Sequence, residues 1–370
     1  MIGFILLAAG LAGLCLRLFV YPVILYFVDP KGLRKYENFS WLSPLTDLLN
    51  KGKYSRKRRL LSAAFATRNL EKWEFKVRYT TQRLLDAFDT RCTAPLKPNT
   101  DPDPDDLTVD FNKWINLWTI EAINYIALSA KMTLLDTGTD EVIAEKPDGR
   151  LYPARYRQAQ NHSAIGKVVA KTSAIIDTGA ETTAIALTHI LQLLISHPKQ
   201  LQKLREEIAG VMDEDDVIIP FNKVKDLPYL KAYLNKGLRL IPPISSGLPR
   251  HTPPEGARII DTWIPGDTSM SITIWSAHHN KDIFPKPYAF QPERWLNSAE
   301  RKRIKPFFIP FSAGARGCIR RNISYLEQQI ILSTLVLHYD FAMPTEGFKV
   351  SRFEAFNLIM GELPIKIWRR

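Results

Sequence analysis

The stretch FSAGARGC, Phe311–Cys318, decides how the rest of the chain is read. Its cysteine follows an arginine by two residues and stands behind a glycine turn. It opens a run, Ile319 to His338, in which Ile323, Leu326, Ile330 and Leu337 recur at helical spacing. A sulfur at the mouth of a helix, beside a guanidinium, is stabilised as a thiolate by the helix N–H groups and by the cation. Taken alone, one cysteine is more often a small buried apolar residue. The surrounding pattern F-x-x-G-x-R-x-C therefore has to carry the reading.

Upstream of this loop lies a long helix, expected from about Ser163 to Ser196. Ile176, Gly179, Ala180, Thr183, Leu187, Ile190, Leu191 and Leu194 fall on one face of it. His197-Pro198 stops that helix and starts the next, with Leu201, Leu204 and Ile208 on one side. Further helices are expected over Lys53–Phe88, Leu107–Leu128 and Val224–Leu240. Thr93 to Asp106, rich in proline and acid, is a loop. Short strands separated by Pro-Gly turns occupy Arg250 to Ile274, and a small sheet occupies Phe341 to Arg370. The sum is a mainly α protein with minor β structure, without internal repeats.

Composition sets the outer limits. With 45% apolar and 24% charged residues over 370 positions, the chain can bury a sizeable core. Three scattered cysteines, Cys15, Cys92 and Cys318, exclude a disulfide framework and a cysteine-rich zinc site. Fifty Lys and Arg against 38 Asp and Glu leave a charge of +12, which suits an anionic membrane, an acidic protein or nucleic acid. The first 28 residues carry a single charge, Arg17, and form an expected transmembrane anchor that spans from Ile2 to Tyr21 and ends near Pro22. Lys31, Arg34 and Lys35 follow at once and keep the remaining domain, residues 29–370, on the cytoplasmic side. The basic run Lys53 to Arg59 also fits a nucleic-acid patch, but its place behind an anchor argues against nucleic acid as a partner.

Four segments taken together resemble the cytochrome P-450 superfamily of haem-thiolate monooxygenases, in wording nearest its filamentous-fungal members. They are FSAGARGC, TGAETT (Thr178–Thr183), FQPERW (Phe290–Trp295) and YSRKRRLL (Tyr54–Leu61). The resemblance implies a haem cofactor ligated by Cys318, with Phe311 packed beside the sulfur. It also implies that Arg58, Arg250 and Arg316 hold haem propionates. Gly179 and Ala180 would let the long helix lie close to a flat macrocycle, while Glu181 and Thr182 deliver protons. The expected activity inserts one oxygen atom of dioxygen into an apolar small molecule. Electrons come from a membrane-bound NADPH-dependent flavoprotein reductase that meets the basic residues Arg316, Arg320 and Arg321. The expected location is the endoplasmic reticulum membrane, with one pass.

Departures from the pattern set a second expectation, a catalytically dead relic of the same fold. The family's Glu-x-x-Arg motif reads Lys236-Gly237-Leu238-Arg239 here, so three cations, with Arg294, stand where an acid should neutralise two. Arg320 replaces the glycine expected two residues after the ligand and should crowd a haem. Little chain separates Leu45 from Lys53, and Arg155 to Val169 stands in for a longer stretch, so parts of an amino-proximal sheet and of the substrate-lid helices are expected to be missing.

Overall fold

The computed structural model describes residues 69–145, 151–156 and 166–370. The chain divides into two compact units, a smaller one of 1–60 with 246–273 and a larger one of 61–245 with 274–370. The anchor and Arg58 lie outside the described residues. No described helix is long and apolar enough to cross a membrane.

In the larger unit, α1 spans Glu71–Asp89 and opens with Glu71 and Glu74, acids that suit the positive end of a helix. It buries Val77, Leu84, Leu85 and Phe88. The loop after it leads to β1, Val109–Asp110, and to α2, Phe111–Leu128. Asp110 caps α2 by accepting from the Asn112 N–H at 3.1 Å. Ser129 ends it in the left-handed region at φ 55°. This helix is buried on nearly every side. Its one buried acid, Glu121, pairs with Arg83 of α1 and accepts from the Leu135 N–H at 2.9 Å.

A short helix α3, Leu134–Thr137, precedes the hairpin β2–β3, Glu141–Glu145 with Leu151–Arg155, which the periodicities above do not predict. Then comes α4, Gly166–Ser196, 31 residues and so about 46 Å long. It packs on α2 and, from its own C-terminal half, buries Ala184, Leu187, Ile190, Leu191 and Leu194. α5, Pro198–Ala209, starts on its proline as expected. The helix expected over Val224–Leu240 starts later, as α7, Pro228–Leu240, and a separate short helix, α6, Phe221–Val224, precedes it. Pro228, which lacks an N–H and disfavours helix at the residue before it, separates them.

The smaller unit is described over 246–273. It holds two antiparallel pairs, β4 (Arg250–His251) with β7 (Ser269–Met270), and between them β5 (Ala257–Ile259) with β6 (Thr262–Ile264).

The larger unit resumes with α8, Ile274–His279, and α9, Ser298–Ile304, before the loop that leads to α10, Arg321–His338. α10 packs on α4, α5, α6 and α7, and buries Ile323, Leu326, Ile330 and Leu335. The chain closes with β8 (Tyr339–Ala342), the hairpin β9–β10 (Arg352–Glu354 with Leu358–Met360) and β11 (Pro364–Arg369). β11 lies between β1 and β8, pairing Ile365 with Val109 and Ile367 with Phe341, both antiparallel. Mainly helix with minor sheet is what the periodicities require.

Candidate functional site

The loop before α10 is folded back on itself. The Ser312 N–H donates to Ile309 O at 2.9 Å and the Gly317 N–H to Gly314 O at 3.1 Å. The Cys318 N–H then closes the turn on Phe311 O at 2.7 Å. Two residues take positive φ to achieve this, Ser312 at 58° and Gly314 at 63°. A Cβ on Gly314 would touch nothing, so glycine is required there by backbone conformation and not by space. The root of the loop is pinned by the Ile309 N–H, which donates to His278 Nε2 at 3.0 Å. Phe311 rests against Tyr325 of α10, ring centres 5.2 Å apart, and the Tyr325 hydroxyl donates to Asn235 of α7 at 2.7 Å. The result is an exposed free thiol, Cys318, three residues ahead of the first turn of α10, with Arg316 exposed beside it.

Across from this loop, α4 presents Gly179 and Ala180 buried, with Glu181 and Thr182 half-buried. Glu181 Oε2 accepts from the Asn357 amide at 2.7 Å, a partner 176 residues away. Glu181 also lines a cavity of about 590 Å³, with Asn112, Lys113 and Asn116 of α2, Arg155 of β3 and Met360 of β10 among its walls. Cys318 is not among them. Thr183, further along α4, faces the opposite way. Its hydroxyl meets Ser324 Oγ at 3.3 Å and donates to Glu327 Oε2 at 3.4 Å. Burial pushes the Glu327 carboxyl up to about 7, against the pull of Arg320 and of the Thr183 hydroxyl.

Arg320 is the residue that the sequence placed wrongly in part. Expected among the basic groups that meet a reductase, it is instead 8% exposed. Its Nη2 stands 3.5 Å from Glu327 Oε1. Its Nη1 fills the place where a Cβ of Gly179 would be. The expectation is that it crowds a haem; what the structure shows is that it lies against Gly179 of α4. This bears directly on a haem bound by Cys318. The ligand side suits one, with an accessible sulfur on a pinned turn. The face of Gly179 is taken by a guanidinium, the far end of a flexible side chain, so the residues fit the group once Arg320 swings aside.

The cation cluster is also as expected. Lys236 and Arg239 of α7 are both 0% exposed, and Arg294 is 7% exposed. Arg239 donates to the carbonyls of His278 and Pro287. Arg294 donates to Pro285 O at 2.5 Å and pairs with Glu300 at 3.1 Å. Lys236 Nζ has no hydrogen-bond partner among the described residues. Burial, then Arg239 and Arg294, bring its pKa from 10.5 to about 6, so it is neutral at pH 7. The side chain stays buried, where the neutral amine is favoured.

Of the other expected site residues, Arg250 is in the smaller unit, paired across to Met270, with Nη1 donating to Leu248 O at 3.2 Å and to Pro249 O at 2.9 Å. Glu327, Asn357 and the Arg320 contact were missed. Glu327 carries a local signal, an acid on the inward stripe of α10 one residue after Leu326. Asn357 carries none.

A family model described as Cytochrome P450 matches residues 154–368. Cytochrome P450 monooxygenase atr2 of Stereocaulon alpinum is 36% identical over 204 residues, which are 55% of this chain and 40% of that protein. Tryprostatin B 6-hydroxylase of Neosartorya fischeri is 23% identical over 393 residues, covering 90% of this chain and 70% of its own. A crystal structure of the haem domain of a cytochrome P450DA mutant superposes with a TM-score of 0.67 at 15% identity, over 87% of this chain and 78% of that one. In atr2 the chain spans less than half of the relative's length.

Proposed function

The chain belongs to the cytochrome P450 family, and we propose that it is a haem-dependent monooxygenase with Cys318 as the axial iron ligand. Its reaction would insert one oxygen atom of dioxygen into an apolar small molecule of fungal secondary metabolism. The family's thiolate-ligated haem supplies the oxygen-activating chemistry, the thiolate donating electron density that favours O–O cleavage. The observation that carries the reading is the pinned turn from Ile309 to Cys318, which offers an exposed sulfur at the start of α10. Phe311, whose ring rests on Tyr325, is the proposed neighbour of the sulfur. Arg316, Arg250 and Arg58 are the proposed propionate partners. The Glu181 carboxylate, its Oε2 held by Asn357, and the Thr182 hydroxyl are the proposed proton carriers. Asn112, Lys113 and Asn116 line the same cavity as Glu181.

An NADPH-dependent flavoprotein reductase is the proposed electron donor, meeting the exposed Arg316 and Arg321 without Arg320. The proposed location is the endoplasmic reticulum membrane, held by a single pass within residues 1–28, with residues 29–370 cytoplasmic. The reduced carbon-monoxide difference spectrum of the full chain in a membrane fraction tests the reading. A thiolate-type Soret band is expected, absent in Cys318→Ala.

A second reading, a relic of this family without activity, is favoured by the buried Lys236, Arg239 and Arg294, and by the expected loss of an amino-proximal sheet and lid helices. Protein present in the membrane fraction without any band would select it.

A further inference from the structure

Burial and two contacts of one side chain make Arg320 unusual. It is buried, its Nη1 occupies the space of a Gly179 side chain, and its Nη2 turns to the buried Glu327. Compensation is thin. The Glu327 contact is 3.5 Å long, beyond a strong charge-assisted bond, and the buried Nε has no partner among the described residues. A guanidinium so weakly held is poorly repaid for the water it has lost. Its backbone stands at the cap of α10, next to the exposed Arg321, so solvent is within reach of a rotamer change. A glycine on a long helix is also the one position where a flat ligand can approach backbone closely.

We infer that Arg320 is a self-supplied occupant of the Gly179 face, so that haem and the Arg320–Glu327 pair compete for one place. The inference rests on Cys318 as the ligand and adds that uptake of haem requires the arginine to leave. Ser324, which meets Thr183 and accepts from the Gln328 amide at 2.8 Å, completes the seam between α4 and α10 along which the guanidinium lies.

The test has two arms on the full chain. In the first, haemin is titrated under reducing conditions into the parent, Arg320→Gly, and Arg320→Gly combined with Glu327→Gln, the last avoiding an unpaired buried acid. At least ten-fold tighter uptake by both variants, with a thiolate-type Soret band on carbon monoxide, is expected. Equal affinity in all three, with that band, overturns the competition and leaves Cys318 as ligand. Tighter uptake without that band keeps the competition and overturns the ligand assignment. No uptake by any of the three overturns both.

The second arm needs no haem. Gly179→Ala is expected to be less favourable to the urea midpoint in the parent than in the Arg320→Gly background, because in the parent its methyl has to displace the guanidinium. An equal shift in both backgrounds shows that Arg320 is elsewhere and overturns the inference.

Discussion

Lys236→Met is expected to stabilise the chain at neutral pH and to remove a pH slope that the parent carries. The buried amine titrates near 6 in the folded chain, against an ordinary value of 10.5. Between those values the unfolded chain binds a proton that the folded chain does not, so stability rises with pH across that window. Each unit is about 1.4 kcal/mol. Folding at pH 7 therefore costs up to about 5 kcal/mol for discharging Lys236, falling to about 2 kcal/mol at pH 9. The methionine has nothing to discharge and keeps most of the packing. The variant's advantage is thus largest near pH 6 and shrinks by about 1.4 kcal/mol per unit as pH rises.

Urea unfolding of both proteins at half-unit steps from pH 6.5 to 9 measures this difference directly, and groups common to both cancel. Lys236→Glu should gain further, since an acid beside Arg239 and Arg294 supplies the countercharge that Arg239 lacks and adds to the Glu300 that Arg294 already meets. A constant difference across the pH range would falsify the burial of an uncharged Lys236. A parent more stable than Lys236→Met at pH 7 would contradict the reasoning outright.

Other substitutions probe separate contacts. Arg83→Met leaves Glu121, 1% exposed, without its cation, and should lower unfolding stability by about 3 kcal/mol in urea titrations. Gly237→Ala brings a methyl within 2.5 Å of Ile190 Cγ1, where α7 crosses α4. The overpacking should cost about 1–3 kcal/mol, read as a lower melting temperature, despite alanine's better helix propensity. Glu327 carries a raised folded pKa, about 7 against 4.5, so its contribution is fully present below 4.5 and lost as pH rises through 7. Relative to Glu327→Gln, the parent should therefore lose stability between pH 4.5 and 7, a fall that calorimetry at several pH values would show.

Helix periods, proline stops and the turn ahead of Cys318 are local properties, written in neighbouring residues, because backbone hydrogen bonds and φ restrictions act over a few positions. That is why α4, α5 and α10 stand close to where their apolar spacing puts them, and why the closing sheet follows the last helix. The same logic put Lys236 and Arg239 on one helix face, since residues three apart share it, while Arg294 was added by the family resemblance. Where Pro228 sat inside an apolar run, the run alone started the helix at Val224 and the imino acid starts it at position 228. The hairpin at Glu141–Arg155 escaped because the turn and strands carry little alternation.

What no local pattern contained was the direction of long polar side chains. Whether Arg320 reaches solvent or lies on Gly179 depends on a glycine far earlier in the chain and on an acid about two helix turns beyond its own cap. Whether Glu181 is held depends on Asn357, which only the return of the chain through β9 and β10 brings near. Burial of Lys236 as a neutral amine likewise follows from the cover that other elements lay over α7. Sequence determined the main helices and the loop ahead of Cys318; packing alone decided which charges are left without water, because desolvation is a property of neighbours that the chain brings together from afar.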